Sequence, residues 1–359
     1  MNRPLLCLII ILLAVIPGCE RTKVIDRLSI IHTLGYDAKK DGKMGATALY
    51  PDYTKGKNKQ DIQIRNVKGT TSSELLAHTN QQAQFPIELS KTMVIVFGEE
   101  FAKKGVGHII RTVFNNPTIG TNVQTAVVKP NAQEFLKKVK ENGTLAIEDT
   151  ITQNYTSMSM PQTDLHIFLN NYFGAGRDPY MPVLAHGTEK SVLIEGLAIF
   201  KDDQYKLQLT EKQYVIFSLL DPFKHQVLFQ IPIKKDEKKG KIAVRELKNK
   251  PTWNVISKHK IKVNLDLHVK IREYPGWIQL NRKNDVETVK TAIKERVSND
   301  IYELIQLFKE NNVDPLGLGD LVRSYDRTWN EKDFYKNDYK QLKVEPDIKV
   351  TIIQAGILR

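Results

Sequence analysis

The stretch IKVNLDLHVKI, residues 261–271, decides the fold of this chain, because apolar and polar residues alternate along its whole length. Successive side chains of a strand point to opposite faces, so the alternation predicts a long β-strand with one buried face. Apolar residues then recur every three or four positions from Asp285 to Asn311, which predicts a long helix. Renewed alternation from Leu342 to Ile353 predicts a terminal strand. This order indicates an α+β domain in which helices pack on an antiparallel or mixed sheet.

The residues just upstream predict hairpins and one capped helix. A strand ending at Phe200, an acidic turn and a second strand from Tyr205 form the first hairpin. The sequence Thr210-Glu211-Lys212-Gln213 has the spacing of a capping box and predicts a helix to Leu220. Two further strands, 227–233 and 241–247, flank the charge-dense stretch 234–240. We predict an exposed hairpin loop for that stretch.

Strands and helices alternate in the first part of the chain, which therefore reads as an α/β or mixed-sheet region. A hairpin turn is predicted at Asp41-Gly42. Strands are predicted at 44–50, 62–67, 92–97, 123–129 and 180–186, and helices at 71–83, 99–115, 131–139 and twice within 147–173, with a break at Met160-Pro161.

The length of 359 residues favours two or three domains. We expect a signal segment over residues 1–18, an N-terminal α/β region over 19–189 that can divide near residue 140, and a C-terminal α+β domain over 190–359. The predicted fold class is thus α+β with several domains, in which mixed or antiparallel sheets pack with helices.

The N-terminus has the features of a secretory signal. Met1-Asn2-Arg3 is positively charged, and the apolar run Leu5–Ile16 is too short to span a bilayer, which needs about 20 residues. Gly18 then precedes Cys19, in a pattern that resembles a bacterial lipobox, although Pro17 stands where a small or hydroxyl residue is commoner. The resemblance implies cleavage between Gly18 and Cys19, an S-diacylglycerol on the thiol and an N-acyl chain, with palmitate as the expected acyl group. Two or three chains give stable anchoring.

Composition limits the classes of partner and cofactor. The net charge of +12 suits attraction to anionic lipid surfaces. The basic residues are scattered and form no recognisable nucleic-acid-binding module, so no nucleic-acid partner is predicted. Cys7 and Cys19 are the two cysteines of the chain. The first leaves with the signal and the second is lipidated, so neither a disulfide nor a Cys-based metal site is expected.

The chain offers few candidates for chemistry. Asp202-Asp203 is a carboxylate pair, but adjacent strand residues point to opposite faces and the neighbours favour a solvated turn. Gly174-Ala175-Gly176 and Gly105-Val106-Gly107 each lack the rest of a phosphate-binding fingerprint. His259 and His268 are an odd number of positions apart, which places them on opposite faces of one strand and argues against a metal site. We therefore predict no catalytic, cofactor-binding or metal-binding residues, and no enzyme activity.

Several segments resemble one known family when their order and spacing are taken together. Their motifs are IEGLAIFKDD (194–203), DPLGLG (314–319), LVR (321–323) with Trp329, IQAGI (353–357), Cys19, IDRL (25–28) and LGYD (34–37). In this order they resemble the Ger(x)C spore-germination lipoproteins over essentially the whole chain. One difference is Asn115-Asn116-Pro117, where relatives tend to carry an Arg-Asp-Pro-like turn.

The resemblance implies the C subunit of a nutrient germinant receptor, lipid-anchored at the outer face of the spore inner membrane. The implied partners are a polytopic A subunit and a permease-like B subunit, and the family implies no catalysis. One alternative is a solute-binding lipoprotein that delivers a nutrient to a membrane transporter, which would need two similar α/β lobes around a hinge. A surface-anchored hydrolase is a further alternative, although the sequence displays neither a nucleophile motif nor a metal set for it.

Overall fold

The computed structural model of the chain describes residues 27–52, 61–141, 146–156, 160–187, 191–221 and 227–353. Its mixed sheets packed with helices confirm the predicted α+β class. The predicted signal segment, Cys19, the first half of the IDRL motif and all of the IQAGI motif after Ile353 lie outside the described residues.

The elements of the first part alternate between strands and helices. In chain order they are β1 (Ser29–Ile30), β2 (Thr33–Ala38), β3 (Met44–Asp52), β4 (Asp61–Gly69), α1 (Ser72–Gln82), β5 (Ile87–Glu88), β6 (Val94–Gly98), α2 (Glu99–Lys104), α3 (Gly107–Phe114), β7 (Gln124–Val128), α4 (Ala132–Lys140), α5 (Ala146–Thr156), α6 (Leu165–Phe173), β8 (Tyr180–His186), β9 (Val192–Lys201), β10 (Gln204–Leu209) and α7 (Glu211–Leu220).

The remaining elements are four strands, three helices and a last strand within the described residues. They are β11 (Leu228–Lys235), β12 (Lys238–Lys248), β13 (Thr252–Ser257), β14 (Lys260–Glu273), α8 (Lys283–Glu310), α9 (Leu318–Tyr325), α10 (Glu331–Asp333) and β15 (Lys343–Ile352). A π-helical turn (Phe334–Asp338) and a 3₁₀ turn (Tyr339–Gln341) connect α10 to β15.

Eight strands form the larger sheet, in the order β10-β9-β8-β7-β6-β2-β3-β4. The central strands β2, β6, β7 and β8 run parallel, and antiparallel pairs complete both sides. Every residue of β6 and β7 is buried, as expected for parallel strands covered by helices on both faces. One face of this sheet packs against α4, and the other against α2, α3 and α6.

The second sheet is built around β14, as the alternating stretch predicts. Its apolar residues at odd positions from 261 to 269 are almost completely buried, whereas the residues between them stay partly or fully exposed. β14 pairs antiparallel with β12 and β13 and parallel with β15, and β11 pairs with β12. The buried face meets the apolar side of α8, which includes Val289, Ile293 and Val297.

The division of the chain at residues 189 and 190 stays a prediction. The larger sheet runs across that position, because β9 pairs with β8 and β10 pairs with β9. Three of the buried side chains on these strands, Leu197, Ile199 and Leu209, belong to the same apolar core as β14 and α8. The two sheets therefore share packing through β9, β10 and α7.

Two sequence predictions were wrong in detail. The helix predicted over 99–115 is broken, because Gly105 adopts φ +122° and separates α2 from α3. The loop predicted over 234–240 is a tight turn, because β11 and β12 pair as far as Lys235 and Lys238. Asp236 occupies the left-handed region at φ +54°, a conformation that Asp tolerates better than most residues. The strand β13 and the helix α9 were not predicted.

Candidate interaction site

The carboxylate pair Asp202-Asp203 forms the predicted turn, here between β9 and β10. Asp202 adopts φ +53° at the turn. Oδ2 of Asp203 accepts a hydrogen bond of 3.0 Å from the backbone N–H of Gly107, and its carbonyl accepts one of 2.9 Å from Val106. Asp203 therefore satisfies backbone donors at the start of α3, a structural role that helix N-termini require.

The two histidines singled out in the sequence have separate carboxylate partners. Nε2 of His259 lies 2.8 Å from Oδ1 of Asp338, and Nε2 of His268 lies 3.4 Å from Oδ2 of Asp266. Across the described ranges, no three His, Cys, Asp or Glu residues gather in a way that could hold a metal ion.

The loop Gly174-Ala175-Gly176, between α6 and β8, packs against the C-terminal part of the chain. We call the described residues before position 190 and those after it the two halves of the chain. Gly176 adopts φ +77°. Its N–H donates to Oε1 of Glu331 at 2.8 Å, and its carbonyl accepts from the N–H of Asp320 at 2.9 Å. This loop is thus held by α9 and α10 of the C-terminal part.

Two buried aspartates continue this connection. The N–H of Asp178 donates to the carbonyl of Asp314 at 2.9 Å, and the N–H of Asp314 donates to Oδ2 of Asp178 at 2.6 Å. Lys201 donates to the Asp178 carboxylate at 3.2 Å, and its ammonium lies 4.2 Å from the ring centre of Tyr335. The hydroxyl of Tyr335 donates to Oδ2 of Asp314 at 3.0 Å. We call Asp178, Lys201, Asp314 and Tyr335 the junction cluster.

Burial controls the protonation of the junction cluster. It raises the pKa of Asp314 to about 7, although the backbone N–H groups of Gly319 and Leu318 oppose the shift. Burial also raises the pKa of Asp178, and Lys201 opposes it. Desolvation and the adjacent Asp314 raise the pKa of Tyr335, so its hydroxyl stays a donor. The cluster is a satisfied polar network whose members come from both halves of the chain.

A cleft of about 820 Å³ opens beside the cluster, and we call it the junction cleft. Its wall contains Arg177, which forms an ion pair with Asp320. Lys332 and Lys336 also line it, and both are exposed and make no ion pair with a described residue. The cleft therefore offers two cations without a described counter-ion, beside a rigid network.

A group of aromatic side chains lies at one edge of the junction cleft, whose lining includes Tyr172 and Phe173. Phe114 and Phe173 are 54% and 57% exposed, and their ring centres lie 5.8 Å apart. The ring centre of Tyr172 lies 4.9 Å from that of Phe173, and its hydroxyl accepts a hydrogen bond of 2.6 Å from Arg111. We call Phe114, Tyr172 and Phe173 the aromatic rim. Exposed aromatic groups next to Arg are typical of protein–protein contacts.

Sequence reasoning missed both the junction cluster and the aromatic rim. Asp178 belongs to a loop whose sequence shows only that it is rich in Gly, Asp and Pro, and Asp314 belongs to the DPLGLG motif, which predicts a connection between helices. These two residues are 136 positions apart, so no local periodicity links them. The glycines at 317 and 319 were the available signal, because the start of α9 approaches Gly176 closely.

Among the helices that the structure describes, none is both long and apolar enough to cross a membrane. Cys19, the predicted lipidation site, lies outside the described residues, and its modification stays a prediction.

Comparison with known proteins places two family models along the chain. The model described as "Spore germination protein N-terminal domain" matches residues 21–186, and the model described as "Spore germination B3/ GerAC like, C-terminal" matches residues 195–356.

Individual relatives match over nearly their whole length. The spore germination protein GerQC of Bacillus cereus is 27% identical over 98% of both chains. The putative spore germination protein YfkR of Bacillus subtilis (strain 168) is 21% identical over 98% of this chain and 97% of its own. The crystal structure of the GerBC protein superposes with a TM-score of 0.53 at 14% identity, covering 89% of this chain and 97% of that chain. This last match bears on the fold alone.

Proposed function

Because the chain belongs to the Ger(x)C family of spore germination proteins, we propose that it is the C subunit of a nutrient germinant receptor and acts by binding membrane partners. The observation that carries this proposal is the match of both family models, in chain order, over residues 21–186 and 195–356. We propose further that the protein has no catalytic role, since the polar groups of the junction cluster are paired with one another across the two halves of the chain.

A lipid anchor at Cys19 would hold the protein at the outer face of the spore inner membrane. The segment from Cys19 to Arg27, the first described residue, can span at most about 28 Å when fully extended. Such a short tether keeps the folded part close to the membrane, where a polytopic A subunit and a permease-like B subunit are embedded. Encounter then takes place at a high effective concentration.

The aromatic rim and the junction cleft are the proposed contact surface for these subunits. Aromatic side chains with a nearby Arg supply a large part of the binding energy in many protein interfaces. Lys332 and Lys336 would favour an acidic loop on the partner, because they lack a described counter-ion.

The assay is nutrient-triggered release of dipicolinic acid from spores that lack redundant receptors. Spores without the protein should fail to respond, and Cys19→Ala spores should respond partly or not at all. The double variant Phe114→Ala, Phe173→Ala should reduce the response, whereas Leu228→Ala, which removes a side chain equally exposed on the second sheet, should not.

A normal response in spores without the protein would refute the role in germination. Normal receptor assembly by the Cys19→Ala protein in its soluble form would refute the anchoring part of the proposal alone. If Leu228→Ala and the aromatic double variant reduce the germination response equally, the proposed contact surface is wrong.

A further inference from the structure

A second cavity lies inside the N-terminal region, away from the junction cleft. It has a volume of about 310 Å³ and lies between the larger sheet, α1, the end of α3 and the following turn. Its walls include Leu75 of α1, Pro117 and Ile119. Ligand pockets in proteins are typically apolar and begin near this size, at roughly 300 Å³.

The floor of the cavity explains why the space exists. Leu34 pairs with Ala48 across β2 and β3, and Tyr36 pairs with Ala46. All four residues line the cavity. Each cross-strand pair thus combines one large side chain with one methyl group. The two alanines leave room that a larger residue would fill, since a well-packed core keeps few voids larger than a water molecule.

The lining also indicates that a ligand of this cavity should be uncharged. No Asp, Glu, Lys, Arg or His is among the described residues that line the cavity. Entry of a charged group would require desolvation without a compensating partner, which is costly. The polar groups present are hydroxyls and amides, and two of these hydroxyls, on Thr79 and Thr112, already donate to carbonyls of their own helices.

Tyr36 provides a buried polar group that remains available. It is 7% exposed, and its hydroxyl has no hydrogen-bond partner among the residues that the structure describes. Buried tyrosine hydroxyls usually find a partner. Burial raises the pKa of Tyr36 to about 12, so the phenol stays protonated and can donate one hydrogen bond or accept one.

From the neutral lining, the two alanines of the floor and the unpartnered hydroxyl, we propose that this cavity binds a small, uncharged, apolar molecule that carries one hydrogen-bonding group directed at Tyr36. A single aromatic ring system is the class of ligand that fits. The inference does not depend on the role in germination, because it concerns binding by the purified protein.

The test is calorimetric titration of the purified protein with indole, a neutral aromatic molecule whose single N–H can donate to the Tyr36 hydroxyl oxygen. Indole should bind, and the anion indole-3-acetate and zwitterionic tryptophan should bind at least about tenfold more weakly. Equal or tighter binding of the charged molecules would overturn the proposal.

Three variants locate the binding within the chain. Ala48→Leu should abolish indole binding by filling the floor, with folding checked by circular dichroism. Tyr36→Phe should weaken it by about tenfold, as expected for the loss of one hydrogen bond. Ile256→Ala, at an exposed position of β13, should leave it unchanged. Undiminished binding by folded Ala48→Leu protein would overturn the proposal.

Discussion

Replacing Gly176 with alanine should weaken the connection between the two halves of the chain. Gly176 adopts φ +77°, where a side chain is strained. A Cβ there would also lie 2.6 Å from the carbonyl carbon of Gly319, and closer still to the backbone nitrogen of Asp320. Backbone atoms at the start of α9 cannot move aside as a flexible side chain could, so the loop and the helix must separate.

The expected cost follows from three contributions. A non-glycine residue in the left-handed region costs about 1 kcal/mol. Separation breaks the hydrogen bond from Asp320 to the Gly176 carbonyl, for about 1 kcal/mol, and the bond from Gly176 to the solvated Glu331 carboxylate, for a similar amount. The free energy of unfolding should therefore fall by about 3 kcal/mol, a large effect for a single substitution.

Urea unfolding followed by circular dichroism measures this loss, and two other glycines provide matched controls. Gly42 has φ +76°, but no described atom lies within 4 Å of the position that an added methyl group would take, so Gly42→Ala should show only the backbone cost of about 1 kcal/mol. Gly276 has open space and no positive φ, so Gly276→Ala should be neutral or slightly stabilising. If Gly176→Ala is no more destabilising than Gly42→Ala, the proposed contact does not hold the junction.

Further predictions concern single charged groups, and each is checked by urea unfolding. Asp203→Ala should cost about 1 kcal/mol by removing the acceptor at the start of α3, whereas Asp202→Gly should gain about 0.5 kcal/mol at the left-handed turn position. Lys201→Met should cost about 3 kcal/mol because it leaves the Asp178 carboxylate buried without its cation, and adding Asp178→Asn should restore part of the loss. Glu246 is 1% exposed, and burial raises its pKa to about 7, although a backbone hydrogen bond from Val227 opposes the shift. A raised folded-state pKa stabilises the protein at low pH, and this stability is lost as the pH rises from about 4.5 through 7. Glu246→Gln should remove that loss. The free energy of unfolding of the variant should therefore exceed that of the original chain by about 3 kcal/mol at pH 8, with little difference at pH 4. An equal effect of Glu246→Gln at both pH values would contradict this reasoning.

Sequence periodicity predicted the individual strands and helices well where burial is one-sided or continuous. β14 alternates because one face meets α8, and β8 was predicted with its bounds of Tyr180 and His186 because its residues are apolar and flanked by turn residues. The pattern failed where one backbone conformation decides the structure. Gly105 breaks the helical run by its positive φ, and periodicity carries no information on φ.

No pattern in the sequence indicated how the two halves of the chain pack against each other. β9 joins the larger sheet by pairing with β8. In the sequence, however, the hairpin of β9 and β10 has the pattern of the first element of a separate domain. The aromatic rim brings Phe114 beside Phe173, from the ends of α3 and α6. Each of these residues is unremarkable in its own helix, and only the tertiary arrangement leaves both exposed together.

The junction cluster and the junction cleft depend on the same docked arrangement. Asp178 and Asp314 satisfy each other's backbone groups only when the loop after α6 lies against the start of α9, and the cleft has walls from both segments. A partner that binds across the cleft would therefore stabilise the junction, by about 2.7 kcal/mol at a concentration 100 times its Kd. Loosening the junction lowers the fraction of molecules in the docked arrangement, and the partner's apparent affinity falls with that fraction. Under the proposed function, Gly176→Ala should thus reduce the germination response in the same direction as Phe173→Ala, although it leaves every side chain of the aromatic rim in place.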